Sequence, residues 1–571
     1  MSNYNKHPET VVTGCDSQAW RGYDAIAEEI LRNDPMVIVV DCYPGVRDEE
    51  LLPCLIERLS PDDIILSNDI FFDGDTLTEK MQCFLTEDRV RGIMFHGTLN
   101  DFVDADKLSS AKQALSHCSG RVLIYGVGAS LISQGDLLVY ADLARWEIQL
   151  RYRKGMPNFK QTNFDQDFLL KYKRGFFVEW RVADRHKQSL AIDYYLDTNA
   201  DNDPKMITGK ALHAGLEQIA RQPFRLVPYF DPGVWGGQWM KCVCNLDPAA
   251  PNYAWSFDGV PEENSLFLRY GDIRIETPAM NLVKFYPREL LGEKTFSRFG
   301  AEFPIRFDYL DTIGGQNLSL QVHPLTEYIQ QKFGMTYTQD ESYYILDTEG
   351  EDSGVYLGVK EGIDPEEFID ALETAQSGKA PFPAEKYVNC FPAKKHDHFL
   401  IPAGTVHCSS AGCMVLEVSA TPYIFTFKLW DWDRVGLDGR PRPIHIEDGK
   451  QVIQYDRDTK WCQENLVNHF QTIHDDADYR QIRTGLHELE FIQTDVYTTN
   501  SGVKILSNGE FSMLNLVDGT DAVIESTTNA FAPYTVHYAE TFVLPAQAGD
   551  FVVKPLTSGN TIKVLRANVR F

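Results

Sequence analysis

The chain has 571 residues, which is too long for one hydrophobic core, so we expect two to four domains. Hydrophobic residues make up 43% and aromatic residues 12%, a composition typical of a globular protein. The 82 acidic residues outnumber the 54 basic ones, and the formal net charge is −28. This charge disfavours nucleic acid and anionic membranes as partners, but it allows a small anionic substrate that meets a local cationic pocket.

The sequence shows no signal for export or membrane insertion. The first ten residues are polar and charged, and no apolar run approaches the ~18 residues of a membrane span. The eleven cysteines are scattered, and Cys242 and Cys244 form only an isolated C-x-C pair. Buried reduced thiols are therefore favoured over a metal site, and we expect a cytoplasmic protein.

Residues 1–215 alternate between apolar runs and helical patterns. Runs suited to buried strands lie at 36–40, 63–66, 92–95, 121–125 and 137–140, and helical patterns such as 49–59 and 108–117 separate them. This alternation predicts an α/β domain with a parallel sheet and helices on both faces.

The first of these runs ends where a nucleotide-binding fold carries its phosphate loop. The residues there, Asp41-Cys42-Tyr43-Pro44-Gly45, lack the G-x-x-x-x-G-K-[ST] pattern, so the lysine and the Mg²⁺-binding hydroxyl are missing. The segment 142–153 nevertheless resembles the lid region of P-loop nucleoside and uridine kinases. It begins a basic cluster whose members are Arg151, Arg153, Lys154, Lys171, Lys173, Arg174, Arg181, Arg185 and Lys187.

The kinase resemblance implies one of three roles for residues 1–215. The favoured one is a structural or degenerate nucleotide fold, because the phosphate loop is missing. A regulatory nucleotide or phosphate site and an active kinase remain open.

The character of the sequence changes after a polar, turn-rich segment at 199–204, which predicts a linker. A helix is predicted at 209–220, and from Phe224 short strands with frequent glycine and proline predict all-β structure. Asp364-Pro365 opens an amphipathic helix over 363–374. We therefore predict three domains: 1–215, then 216–449 with this helical insertion, and then 450–571 as a second, metal-free jelly roll.

The stretch Leu318–Pro324 alternates apolar and polar side chains, which is the period of a half-buried strand. Ser319, Gln321 and His323 therefore share one face, and buried polar groups need partners. Downstream, Glu341 offers a carboxylate, and His407, in Pro402-Ala403-Gly404-Thr405-Val406-His407, offers a second imidazole. Two imidazoles, a carboxylate and an amide oxygen suit a catalytic zinc or a similar divalent ion.

These segments, together with Leu416-Glu417-Val418 and Leu429–Arg434, resemble the type I mannose-6-phosphate isomerases. Trp235-Gly236-Gly237 and Tyr253–Ser256 fit the same family. The resemblance covers about 224–571 and implies a jelly-roll bicupin. It also implies a zinc-dependent aldose–ketose isomerase that interconverts mannose 6-phosphate and fructose 6-phosphate through an enediol. The family's ligands fall on Gln321, His323, Glu341 and His407, which implies one Zn²⁺ per chain.

Two positions depart from the family pattern. Lys428 stands where the family usually has an arginine, and Gln339 stands where it usually has a lysine. Alternation places Lys428 on the same strand face as Thr426. A desolvated lysine can titrate near neutrality, whereas arginine cannot.

We predict that Lys428 is catalytic, either as the base or as a charge beside the enediolate. Pairing with Asp431 or Asp433 is the alternative. Ser319 and Arg442 are the predicted binding residues for the substrate phosphate.

Two further functions compete with this prediction. The first is an isomerase or epimerase for another sugar, since the changes at Gln339 and Lys428 alter the pocket. The second is a non-catalytic sugar sensor, in which the bicupin binds the ligand and the kinase-like domain reports it. The intact set of four ligands favours an enzyme.

Overall fold

The computed structural model describes residues 3–420, 423–436, 439, 442, 444–485 and 487–571. These residues form two compact units, and neither is continuous along the chain. The α/β unit consists of Glu9–Ile219 and Ser265–Phe285. The β unit consists of Met1–Pro8, Ala220–Asn264 and Tyr286–Phe571. Among the described residues, no helix has the length and apolar character needed to cross a bilayer.

The first part of the α/β unit contains these elements in chain order: β1 (Glu9–Val11), β2 (Ala19–Arg21), α1 (Tyr23–Leu31), β3 (Val37–Cys42), α2 (Asp48–Leu59), β4 (Asp63–Leu66), α3 (Gly74–Leu85), α4 (Ala105–His117), β5 (Val122–Gly126), β6 (Leu137–Asp142), α5 (Arg145–Arg153), α6 (Phe168–Arg174), a π-helical turn (Gly175–Glu179), α7 (Trp180–Gln188), β7 (Tyr194–Asp197), β8 (Lys205–Thr208) and α8 (Gly209–Ile219).

The main sheet of this unit has the order β2-β8-β7-β6-β3-β5-β4. Strands β3 to β7 are parallel, as predicted, but β8 pairs antiparallel with both β7 and the edge strand β2, so the sheet is mixed. The apolar run at 92–95 was predicted as a strand, and that prediction is wrong. The amides of Ile93 and Phe95 donate to the carbonyls of Phe84 and Phe177 instead of to a sheet. Residues 199–204 form the turn between β7 and β8 and not a linker.

The next segment contains β9 (Tyr229–Asp231), α9 (Trp239–Val243), β10 (Trp255–Gly259), β11 (Ser265–Tyr270), β12 (Ile273–Pro278) and α10 (Ala279–Phe285). The last three of these belong to the α/β unit. Strand β11 pairs in parallel with β1 and antiparallel with β12, which gives a separate three-stranded sheet.

The first jelly roll contains α11 (Pro287–Leu291), α12 (Glu293–Phe299), β13 (Arg306–Asp311), β14 (Leu320–Val322), α13 (Thr326–Phe333), β15 (Glu341–Thr348), β16 (Gly354–Val359), α14 (Pro365–Gln376), α15 (Ala384–Tyr387), β17 (Val388–Pro392), β18 (His398–Ile401), β19 (His407–Ser409), β20 (Cys413–Ser419) and β21 (Phe427–Trp430). One sheet has the order β18-β15-β20-β13-β10-β9, and the other has the order β17-β16-β19-β14-β21. The predicted inserted helix is α14, and the Asp364 side chain caps its first turn.

The aromatic-glycine turn at Trp235-Gly236-Gly237 is a packing corner of the β unit. The Trp235 ring meets Trp255 edge-on at 4.7 Å. A Cβ atom on Gly237 would lie 2.1 Å from Asp311 Oδ1, so no larger residue fits there. The turn therefore needs glycine for close approach to β13.

The chain then forms α16 (Ile446–Gly449), α17 (Thr459–Asn465), β22 (Gln471–Asp475), β23 (Tyr479–Gly485), β24 (Ile492–Thr499), β25 (Val503–Ile505), β26 (Ser512–Asp518), β27 (Asp521–Ser526), β28 (Tyr534–His537), β29 (Thr541–Leu544), β30 (Phe551–Pro555) and β31 (Ile562–Val569). Two antiparallel sheets, β22-β23-β24-β31-β26-β29 and β25-β30-β27-β28, enclose an apolar core that includes Leu514, Ile524, Phe542 and Phe551. The prediction of a multidomain, sheet-rich chain is confirmed.

Candidate metal centre

The four predicted ligands lie between the two sheets of the first jelly roll. Gln321 lies on β14, and His323 follows the end of that strand. His407 begins β19 and pairs with Gln321 across the strands, while Glu341 begins β15 of the opposite sheet. His323, Glu341 and His407 are buried, and one donor atom from each lies within 4.8 Å of the others. The two sheets thus bring the predicted ligands together.

The hydrogen bonds of the two histidines fix which ring nitrogen faces the centre. His323 Nδ1 donates to the Phe425 carbonyl at 2.8 Å, and His407 Nδ1 donates to the Thr405 carbonyl at 2.9 Å. A carbonyl oxygen only accepts, so both Nδ1 atoms carry hydrogen. The Nε2 lone pairs of both rings then point at Glu341, at 3.0 and 2.9 Å from its two carboxylate oxygens.

The residues present fit a divalent ion. His323 Nε2 and Glu341 Oε1 are buried without a hydrogen-bond partner among the described residues, which is costly unless a cation lies between them. Burial alone would raise the pKa of Glu341, and that pKa lies well below its usual value only when positive charge on His323 and His407 outweighs burial. With both Nε2 atoms unprotonated, a cation at the centre would supply that positive charge instead. Gln321 Nε2 lies 3.2 Å from His407 Nε2, and turning the amide over would bring its oxygen there. Two nitrogens, a carboxylate and an amide suit zinc or a similar ion.

Ser319 and Arg442, the predicted phosphate-binding residues, converge on Asp431. The Ser319 hydroxyl donates to Asp431 Oδ1 at 2.7 Å. Arg442 Nη1 lies 3.0 Å from both Asp431 oxygens and 3.2 Å from Ser319 Oγ. Arg434 also donates to Asp431, at 2.7 Å. Sequence reasoning did not select Asp431 and Arg434 as phosphate-site residues, although both lie in the Asp431-Trp432-Asp433-Arg434 element.

Lys428 lies on β21, as predicted, and is opposite Gln321 in the register of β14 and β21. Directly paired residues point to the same face of a sheet, so Lys428 shares the face of Gln321. Both residues are only partly buried, whereas the two histidines and Glu341 are fully buried. Gln321 and Lys428 therefore lie on the solvent side of the buried ligands.

A second group of carboxyls lies beside the ligands on the larger sheet. Glu417 pairs with Tyr343 on one side and with Asp308 on the other. Burial and the neighbouring Glu341 and Asp308 carboxylates raise the pKa of Glu417 well above its usual value. Burial also raises the pKa of Asp308 to about 6, although Arg306 Nη2 lies 2.8 Å from it. In the sequence analysis, Glu417 was identified only as part of the Leu416-Glu417-Val418 segment.

In the α/β unit, the strand order switches direction between β3 and β6, because the chain leaves these two neighbouring strands toward opposite edges of the sheet. Asp41 is the second-last residue of β3, at the carboxyl end of that strand, and it is fully buried. Its carboxylate accepts the backbone N–H groups of Gly128 and Ser130 at 2.9 and 3.0 Å, and it lies 2.9 Å from His186 Nε2. The Asp41 side chain thus satisfies two N–H groups at the start of the turn that follows β5.

The predicted basic cluster makes its described contacts inside the same unit. Lys187 lies 2.8 Å from Asp142, and Arg174 lies 2.8 Å from Glu179. Lys171 Nζ donates to the carbonyls of Met156 and Phe164 at 3.1 and 2.5 Å. These contacts favour the structural role of the cluster over an anion site.

Comparison with known proteins gives one family model and a set of curated relatives. Residues 22–221 match a family model described as a domain of unknown function (DUF8485). The curated relatives match up to 60% of this chain. Mannose-6-phosphate isomerase ManA of Bacillus subtilis (strain 168) is 22% identical over 342 residues, which are 60% of this chain and 95% of that protein.

The probable mannose-6-phosphate isomerase GmuF of the same organism is 24% identical over 260 residues, which are 45% of this chain and 73% of that protein. The curated relatives are mannose-6-phosphate isomerases. Among solved structures, the mannose 6-phosphate isomerase from Bacillus subtilis aligns with a TM-score of 0.49 at 18% identity, over 61% of this chain and 99% of that one. None of these matches supports the kinase resemblance of residues 1–215, which therefore stays a prediction.

Proposed function

We propose that this chain is a zinc-dependent aldose–ketose isomerase that interconverts mannose 6-phosphate and fructose 6-phosphate. The observation that carries the proposal is the buried centre in which the His323 and His407 Nε2 atoms face the two oxygens of one carboxylate, Glu341. The match to a mannose-6-phosphate isomerase over 95% of that protein's length supports it.

The chemistry required is the movement of a proton between C1 and C2 of the open-chain sugar. A divalent ion at the centre would supply positive charge against the negative charge that develops on the sugar oxygens. Gln321, His323, Glu341 and His407 would hold that ion. The base must reach both carbons from one side, and Lys428, on the face of Gln321, is our proposed base or stabilising charge.

The substrate phosphate would bind at the Asp431 cluster. Arg434 and Arg442 bring two positive charges against one carboxylate, so the cluster keeps one net positive charge for an anion. The hydroxyl of Ser319, between Asp431 and Arg442, can turn its hydrogen to a phosphate oxygen. The chain's net charge of −28 makes such a local positive site necessary for an anionic substrate.

A coupled assay tests the proposal. The purified full chain, loaded with zinc, should isomerise mannose 6-phosphate and should leave unphosphorylated mannose unchanged. Glu341→Gln should lose both bound zinc and activity, while the same change at the exposed Glu57 should lose neither. Zinc-loaded protein that binds mannose 6-phosphate without turning it over would instead support the sugar sensor.

Lys428→Met separates a catalytic lysine from one that only shapes the pocket. A catalytic role predicts that kcat falls by ~10² or more while zinc content stays unchanged. A structural role predicts lost stability or lost zinc, with kcat of the folded fraction nearly constant. Lys428→Arg restores the usual residue of the family. If it raises activity on mannose 6-phosphate, the natural substrate is a different phosphosugar.

For the α/β unit we propose a degenerate nucleotide fold that does not hydrolyse ATP. The missing phosphate-loop lysine and the Asp41 carboxylate that occupies the N–H groups of Gly128 and Ser130 support this. ATP turnover by the full chain that disappears on Asp41→Asn would refute it. All eleven cysteines are free, which supports the proposed cytoplasmic location.

A further inference from the structure

Gln339 lies two residues before Glu341 and connects two of the proposed metal ligands. We infer that Gln339 is a positioning residue that holds His323 and Glu341 in their ligating orientations and so raises the affinity for the ion. The inference rests on the proposed metal site and goes beyond it, because it concerns the residue at which this chain departs from the family's usual lysine.

Three hydrogen bonds connect Gln339 with both ligands. Gln339 Oε1 accepts the backbone N–H of Phe425 at 2.8 Å, and the carbonyl of Phe425 accepts His323 Nδ1–H at 2.8 Å. Gln339 Nε2 donates to Glu341 Oε2 at 3.0 Å, and that oxygen lies 3.0 Å from His323 Nε2. One amide therefore fixes both the carboxylate and, through the backbone N–H and C=O of Phe425, the imidazole.

The neighbours of Gln339 tie the same segment to the other ligand-bearing loops. Thr338 Oγ1 donates to the carbonyl of Pro324, which directly follows His323. Asp340 Oδ1 accepts the N–H of Ala403, in the turn that leads to His407, at 2.8 Å. The run Thr338–Glu341 is thus the part of the chain where contacts to the separate ligand segments meet.

A glutamine does here what a lysine cannot. The amide donates and accepts at once, whereas an ammonium only donates, so a lysine would leave the Phe425 N–H without its acceptor. A lysine would also place a positive charge beside the carboxylate that faces the ion, and like charges repel strongly at a buried site. Gln339 is 4% exposed, so water is poorly placed to substitute for it. Neutral glutamine therefore favours binding of the metal ion, whereas a lysine here would add a positive charge for the substrate.

The test measures metal affinity and not activity. We would determine the zinc dissociation constant of the full chain by chelator competition for wild type, Gln339→Met and Gln339→Lys. Removing such a supporting group from a metal ligand typically costs 10–100-fold in affinity. We expect a loss in that range for Gln339→Met and at least as large a loss for Gln339→Lys. Asn515→Leu is the matched control, since Asn515 is a buried amide that bonds Tyr309 and Thr541.

The outcomes separate the inference from the proposed function. If wild type itself binds no zinc, the proposed metal site fails. If wild type binds and both variants bind within about twofold of it, the positioning role fails and the site stands. Circular dichroism and the melting temperature of the metal-free proteins report folding. If both variants are unfolded without metal, Gln339 is a folding residue, and that result also overturns the inference.

Discussion

His398 makes the first jelly roll sensitive to acid. It lies on β18 opposite Tyr344, it is 0% exposed, and neither ring nitrogen has a hydrogen-bond partner among the described residues. Burial lowers the pKa of His398 to about 3, because the charged imidazolium would lose its hydration, and this outweighs the opposite effect of the nearby Thr484 backbone. The ring is therefore neutral in the folded protein across the physiological pH range.

The magnitude follows from the difference between the two pKa values. An unfolded histidine titrates near ~6.5, so below that pH the unfolded chain binds a proton that the folded chain excludes. Stability is therefore intact above pH ~6.5 and falls as the pH falls toward 3. At pH 5, linkage gives a loss of about 2 kcal/mol from this one residue, relative to pH 7.5. For a domain of ~200 residues, that corresponds to roughly 4–8 °C in melting temperature.

The assay compares wild type with His398→Phe, both metal-free, by differential scanning calorimetry at pH 7.5 and pH 5. Any packing cost of the phenylalanine is independent of pH, so the quantity of interest is the change between the two pH values. Between pH 7.5 and pH 5, we expect the melting temperature of His398→Phe to fall by roughly 4–8 °C less than that of wild type. The same change at the exposed His469 should leave the pH response of wild type intact. An equal pH response in wild type and His398→Phe would refute the reasoning.

Three further outcomes are expected. Lys187→Met should lower the free energy of unfolding of the α/β unit by about 3–5 kcal/mol, because it leaves the Asp142 carboxylate buried without its cation. Lys554→Met removes an exposed ion pair and should cost at most about 1 kcal/mol. Equal shifts of the two variants in calorimetry would contradict this. Zinc at ~100 times its dissociation constant should stabilise the β unit by about 2.7 kcal/mol over the chelated protein, and identical melting curves would argue against the site. A chain cut to 216–571 should aggregate in light scattering, because β11 and β12 lose the partners they have in the α/β unit; a monodisperse, folded product would show that expectation to be wrong.

The sequence predicted the buried group formed by His323, Glu341 and His407 better than the surroundings of that group. Gln321 and His323 could be assigned to one face because strand periodicity is exact over so short a stretch, and the turn before His407 has a recognisable spacing. The peptide of Phe425, which orients His323, could not be found in this way, because a backbone carbonyl carries no residue-specific signal. Asp431 could be found only through its motif, since its partners lie on separate segments.

The fold, too, could be predicted from the sequence only in part. The buried parallel strands β3, β5 and β6 could be predicted from the sequence. A strand that is buried on both faces is apolar at nearly every position, so it forms a continuous apolar run. The run at 92–95 is also apolar, but its N–H groups donate to carbonyls of α3 and of the π-helical turn, and composition cannot distinguish these partners from a neighbouring strand. The pairing of β11 with β1 joins residues more than 250 positions apart, and local periodicity contains no information about it.

The interleaving of the two units sets the order of events during translation. A nascent chain that has reached Ile219 has most of the α/β unit but still lacks Ser265–Phe285, which contributes β11, β12 and α10. The ribosome must first add residues 220–264, a delay of roughly 2–9 s at ~5–20 residues per second. During that delay β1 has no neighbouring strand, and its unpaired edge is exposed to other nascent chains. Synonymous codons that slow translation between residues 220 and 264 should therefore lower the yield of folded protein, whereas equally slow codons after residue 450 should not.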